Sequence, residues 1–182
     1  MARFAGIGSL GSLGAATLLV ATLLTAPSAS AAENSATASI PIDDATTLEV
    51  HATANCVKAD NQCYFTTSAN LLTPDGPTGF PPQFYARQNT TVRSMDRLVY
   101  LDSDFDAPNT RMFKSIGSVE FSTVYFDGGP PEKFTLHGNT RTTDWATGRP
   151  KTDANFIACT YIQVVYANVN LTSPTACATT TY

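Results

Sequence analysis

Basic charge, histidine and helical periodicity are all scarce in this 182-residue chain, and each scarcity removes a class of function. Eleven lysines and arginines stand against fifteen acidic residues, which argues against general affinity for nucleic acid or anionic lipid. His51 and His137 are the only histidines, and the chain holds no G-x-S-x-G, H-E-x-x-H or glycine-rich phosphate loop. The common signatures of serine hydrolases, zincins and nucleotide enzymes are therefore missing. His51 alternates with apolar neighbours in EVHATA and His137 ends KFTLHG near a turn, so both read as strand-face or turn residues rather than bases. A non-enzymatic protein is the expectation. A glycosidase, which needs only two carboxylates, is the surviving catalytic alternative.

What is present begins with the leader MARFAGIGSLGSLGAATLLVATLLTAPSASAAEN. One basic residue, Arg3, precedes an uncharged apolar run that ends in small residues around Ala29, Ser30 and Ala31, the pattern of a secretory signal peptide cut after Ala31. No basic stop-transfer cluster follows, and the C-terminal PTACATTTY carries no hydrophobic tail. The expected product is secreted, free in the medium or loosely held at the cell envelope, with no membrane span after cleavage. Residues 32–45 read as a flexible segment able to add an edge strand, and residues 46–182 as a single domain.

Four cysteines remain, an even number suited to two disulfides in an exported chain. Cys56 with Cys63 and Cys159 with Cys177 is the preferred pairing, because each pair brackets a polar segment that a chain reversal can close. Neither gap has nearby histidines or a C-x-x-C element, which argues against a metal role.

From Thr46 onward β-branched and aromatic residues dominate. TTLEVHATANC alternates Leu48, Val50, Ala52 and Ala54 with polar residues, the period of a half-buried strand. CYFTTSANLL, QFYARQNTTVRS, RLVYLD, RMFKSI, VEFSTVYF, KFTLHG and NFIACTYIQVVYANVN continue the series. The last is apolar on both parities and predicts a central strand covered on both faces. DGGPPE, between VEFSTVYF and KFTLHG, predicts a chain reversal. Eight or nine strands with turn signals between them predict an all-β, antiparallel β-sandwich, immunoglobulin-like or jelly-roll-like, with a barrel as the alternative.

Four features invite a functional reading. Trp145, the only tryptophan, lies in the loop NTRTTDWATGRPKTD with Arg141, Asp144 and Arg149, a set suited to stacking on a sugar ring or anchoring a protein; the competing reading folds Trp145 back as a lid over the core. TPDGPTGFPP presents Phe80 among prolines, a stiff knuckle of the kind protease inhibitors project, or else a connector whose phenylalanine packs inward. Arg87, Arg93 and Arg97 share parity and would line one strand face. Finally, LDSDFDAPN sets Asp102, Asp104 and Asp106 at alternate positions. An EF-hand loop starting at Asp102 would need glycine and glutamate where Ala107 and Phe113 stand, leaving a looser calcium site on the sandwich rim as the one cofactor expectation. The combined expectation is a binding module for a protein or carbohydrate partner, with loops 73–82, 102–110 and 139–153 as contact surfaces.

Overall fold

Alternating burial along the strands builds two facing sheets in the computed structural model, which describes residues 34–182. In chain order the strands are β1 (Asn34–Pro41), β2 (Thr47–Val57), β3 (Gln62–Thr73), β4 (Gly76–Thr78), β5 (Tyr85–Ser94) and β6 (Val99–Asp106). There follow β7 (Thr110–Ser115), β8 (Ser118–Phe126), β9 (Thr135–Asp144), β10 (Phe156–Tyr166), β11 (Val169–Thr172) and β12 (Ala176–Thr180). The first sheet runs β1-β2-β3-β9-β6 with β4 beside β3; the second runs β11-β10-β5-β8-β7 with β12 beside β10. All pairings are antiparallel, and neither sheet closes on itself, so the molecule is a sandwich and not a barrel. The expected leader, residues 1–31, lies outside the described residues.

The inward parity is the one the sequence predicts for β2, where Leu48, Val50, Ala52 and Ala54 are buried. Phe65 of β3 reaches across to Phe121 and Phe156 of the second sheet, with ring centroids 5.4 and 6.4 Å away. Its ring lies against Gly138, directly opposite on β9, where a Cβ would collide with it. A second aromatic cluster closes one end: Phe80 stacks on Phe84 at 4.2 Å, and Phe134 meets both edge-on at 4.6 and 5.3 Å. Between the sheets lies a polar knot. Gln88 Nε2 donates to Thr67 and Thr160 hydroxyls at 3.0 and 3.2 Å, and Tyr125 donates to Gln88 Oε1 at 3.1 Å. Thr90 completes it, 2.8 Å from Thr67 and 3.2 Å from Thr160. Burial without such partners would be costly, so each side chain depends on the others.

Both disulfides form as predicted, Cys56 to Cys63 and Cys159 to Cys177, each joining residues directly opposite on paired strands. The first is buried in the core, whereas Cys177 of the second is exposed.

Several expectations need correction. Among the described residues the strands number twelve, because the short β4 sits inside a segment that reads as a loop and β11 begins within the run that reads as one strand with β10. Residues 34–41 form β1, the edge strand that the N-terminal segment is expected to be able to add, paired with β2 over its full length. DGGPPE does not close a hairpin: β8 and β9 belong to different sheets, and a short 3-10 turn at Pro131–Phe134 carries the chain across. Lastly, β10 is flanked on both sides, yet its outward Tyr161, Gln163 and Val165 are exposed, so it is not covered on both faces.

Candidate functional site

The outer face of the first sheet takes its character from three neighbouring strands, β3, β9 and β6. Antiparallel register sets Asp102 opposite Arg141, and Asp104 opposite Asn139, which in turn faces Tyr64 on β3. Asp106 opposes His137, and His137 opposes Thr66, whose hydroxyl lies 3.0 Å from His137 Nδ1. Gln62 Nε2 donates to Asn139 Oδ1 at 2.5 Å, fixing that amide's orientation. A groove of about 400 Å³ runs along these residues, lined by Gln62, Asp102, Ser103, Asp104, Asn139 and Arg141. Asp104 and Asn139 also line a shallower hollow that extends it towards Tyr64 and His137.

At the far end of the strip β9 passes into a tight turn. Asp144 Oδ1 accepts from the backbone N–H groups of Ala146 and Thr147 at 3.0 and 2.8 Å, and from the Thr147 hydroxyl at 2.9 Å. These bonds, the Thr147 amide first, hold the Asp144 carboxyl below its ordinary range. Gly148 takes the left-handed conformation the turn requires, with φ of +67°, and the Arg149 carbonyl accepts from Asp144 N–H at 2.8 Å. The turn holds Trp145 out at 48% exposure, edge-on to Tyr100 with ring centroids 6.2 Å apart. Tyr100 points the same way as Asp102 and Asp104, since all three are exposed residues of one parity on β6. Lys114, from the edge of the other sheet, reaches round to lie 3.4 Å from Asp102 and 5.9 Å from the Tyr100 ring centre.

The structure therefore brings Trp145 and Arg141 to one face and leaves Trp145 half exposed rather than as a lid. Asp144 is on the same turn, but its carboxylate is engaged in holding that turn. Arg149 is exposed beyond it. Tyr100, Gln62, Asn139 and Tyr64 were not singled out from sequence. Tyr100 shares the parity of the aspartates and was visible there, whereas the other three need the β3 and β9 pairing to be known.

Other candidates separate. Phe80 is 4% exposed and held by reciprocal backbone bonds with Gly129 at 3.0 Å, so it is a core residue and not a projecting knuckle. Of the expected loop 102–110, residues 102–106 belong to β6; the turn that follows and loop 73–82 lie at the end of the sandwich opposite the Trp145 turn, because β6 pairs Val99 with Asp144 and Asp106 with His137, and β3 pairs Cys63 with Thr140 and Ser68 with Thr135. Arg87 and Arg93 lie on the outer face of the second sheet, while Arg97 sits in a turn with φ of 59° and leaves their line. The carboxylates of Asp102, Asp104 and Asp106 are strung along β6, where alternate residues are about 7 Å apart. Among the described residues no three of His, Cys, Asp and Glu gather closely enough to hold a metal ion. A cleft of about 800 Å³ opens near Pro77, Pro81, Pro130 and Tyr166, with Asp43 the one charged residue among its walls. Among the described residues no helix is long and apolar enough to cross a membrane.

No family model matches the chain, and no curated protein matches it. Among solved structures it is similar to the NetB toxin of Clostridium perfringens in its membrane-inserted form, with 6% identity and a TM-score of 0.31, over 84% of this chain and 92% of that one. It is also similar to a structure described as a pore forming protein, again 6% identical, with a TM-score of 0.25, over 84% of this chain and 88% of that one. Likenesses at these values assign neither a family nor an activity.

Proposed function

We propose that the protein is an exported, non-catalytic binding module that holds carbohydrate along the β3, β9 and β6 face. The observation that carries this reading is the half-exposed Trp145, set beside Tyr100 at the end of a strip of amide, carboxylate and guanidinium groups. A pyranose ring offers an apolar C–H face that lies well on an indole, and paired hydroxyls that suit planar groups such as Asp102, Asn139 and Arg141. The strip from Tyr100 to Asp106 is about 20 Å long, so it favours a chain of sugars over a single one. Two disulfides and the leader support export.

Trp145 is the sole tryptophan, so its fluorescence reports on the site directly. Titrating the mature protein with soluble polysaccharides, and co-sedimenting it with insoluble ones, should give saturable binding that Trp145→Ala and Arg141→Ala each weaken about tenfold or more. If no polysaccharide moves the fluorescence or sediments the protein, the reading fails. Asp102 and Asp104 share the groove, which keeps hydrolysis as the second reading, although both stand in open solvent without the enclosure that excludes water from a reacting bond. New reducing ends that disappear with Asp102→Asn or Asp104→Asn would replace binding by catalysis.

A further inference from the structure

The outer face of the second sheet differs in kind from that of the first. Register sets Val165, Tyr85 and Phe126 in one row across β10, β5 and β8, and Gln163, Arg87 and Val124 in the next. The third row carries Tyr161, Asn89, Ser122 and, on β7, Arg111; the fourth ends in Phe113. Phe126 is 62% and Phe113 55% exposed, and Tyr85 meets Phe126 at 5.8 Å between ring centres. A solvated sheet face of a β-sandwich is expected to carry polar residues. Here exposed rings flank a groove of about 680 Å³ whose walls include Tyr85, Arg87, Arg111, Phe113, Val124 and Phe126.

The two arginines indicate what the groove takes. Among the described residues neither guanidinium has a carboxylate within ion-pair distance, although the chain has acid in excess. Asp104 and Asp106 are on the other sheet, and Glu120, on this face, is not among the groove walls. Two uncommitted guanidiniums flanked by exposed rings form a cationic site with apolar surface on either side, where an anionic head group gains charge-assisted bonds. The volume falls in the range of small-molecule sites and suits a ligand of modest size.

We propose that this groove binds a free amphiphilic anion: a molecule whose aromatic or short acyl body lies against Tyr85, Phe126 and Phe113 while a carboxylate, sulfate or phosphate head engages Arg87 and Arg111. The site is on the opposite outer face from Trp145, so it stands or falls independently of carbohydrate binding.

The test uses anilinonaphthalene sulfonate as probe, with decanoate below its micelle concentration as competitor. The probe should bind saturably with one dominant site, decanoate should displace it, and Arg87→Gln with Arg111→Gln should weaken it about tenfold or more. These residues are on the surface, so the double variant should keep the wild-type melting temperature; Phe126→Ser offers an independent route to the same loss. Unchanged probe affinity in the arginine variant would overturn the proposal. Equal affinity for the uncharged phenylnaphthylamine would overturn it too, because the head group would then be irrelevant. Binding seen only with phosphatidylglycerol vesicles, and not with monomeric ligand, would reassign the face to a membrane surface.

Discussion

Replacing Gln88 by leucine and Tyr125 by phenylalanine, singly and together, tests whether the polar knot between the sheets acts as one unit. Gln88 is 1% exposed and Tyr125 4% exposed, so neither can turn to water when its partner is lost. Tyr125→Phe leaves Gln88 Oε1 without its 3.1 Å donor, at a cost of about 1–3 kcal/mol for a buried orphan. Gln88→Leu leaves the Tyr125 hydroxyl orphaned at a similar cost, while Thr67, Thr90 and Thr160 still bond one another. In a domain of this size each single variant should melt lower by roughly 2–4 °C for each kcal/mol lost. The double variant removes both ends of the bond, so it should cost no more than the worse single variant, because no orphan remains. Urea unfolding followed by far-ultraviolet circular dichroism gives all four free energies. Additive costs, with the double variant equal to the sum of the singles, would refute the coupling and with it the claim that this bond is what makes the residues tolerable in the core.

Phe80→Ala should destabilise the fold by about 3–5 kcal/mol, as expected for a large aromatic in a packed cluster, while leaving the folded fraction's polysaccharide binding intact; a variant as stable as wild type would return Phe80 to the surface. Gly138→Ala forces a methyl group into the Phe65 ring and should cost about 1–3 kcal/mol by thermal melting, whereas an unchanged melting temperature would mean the ring moves aside freely. Under mild reductant in native buffer, alkylation should add two labels before four by intact mass, because Cys177 is exposed while Cys56 and Cys63 are 1% and 0% exposed; four labels appearing together would contradict that order. Burial pushes the Tyr125 phenol above its ordinary value of 10.0. The folded chain then keeps a proton that the unfolded chain releases, so this share of stability is present below about pH 10 and is lost as pH rises beyond it. Tyr125→Phe should accordingly show a flatter alkaline decline than wild type in pH-dependent melting, and identical slopes would count against the burial.

Local pattern carried much of the fold. Leu48, Val50, Ala52 and Ala54 declared their inward face by period alone, and each cysteine pair bracketed the reversal that its bond closes. Pairing between strands distant in sequence was less legible. Nothing local to TLHGNTRTTD says that it lies between β3 and β6, and without that placement Gln62, Asn139 and Asp104 cannot be assembled into a site. Gln88 and Thr90 share the inward parity of Ala86 and Val92, yet their partners come from facing and neighbouring strands, so their satisfaction is a tertiary fact. NFIACTYIQVVY posed the converse problem. Apolar residues on its second parity read as a covered face, but Tyr161 and Val165 are exposed beside the Arg87 groove. Composition states that a face is apolar, and only the topology states whether the chain itself covers it.

The aspartate ladder has a consequence for how copies of the molecule meet. β6 is the last strand of its sheet, so its outer edge offers unpaired backbone groups to any passing strand. A second copy docking there antiparallel, with Asp104 against Asp104, would set Asp102 against Asp106 on either side. Like charges directly opposite one another in a ladder are destabilising. Three carboxylates at alternate positions therefore disfavour β6 pairing edge to edge with β6 of a second copy.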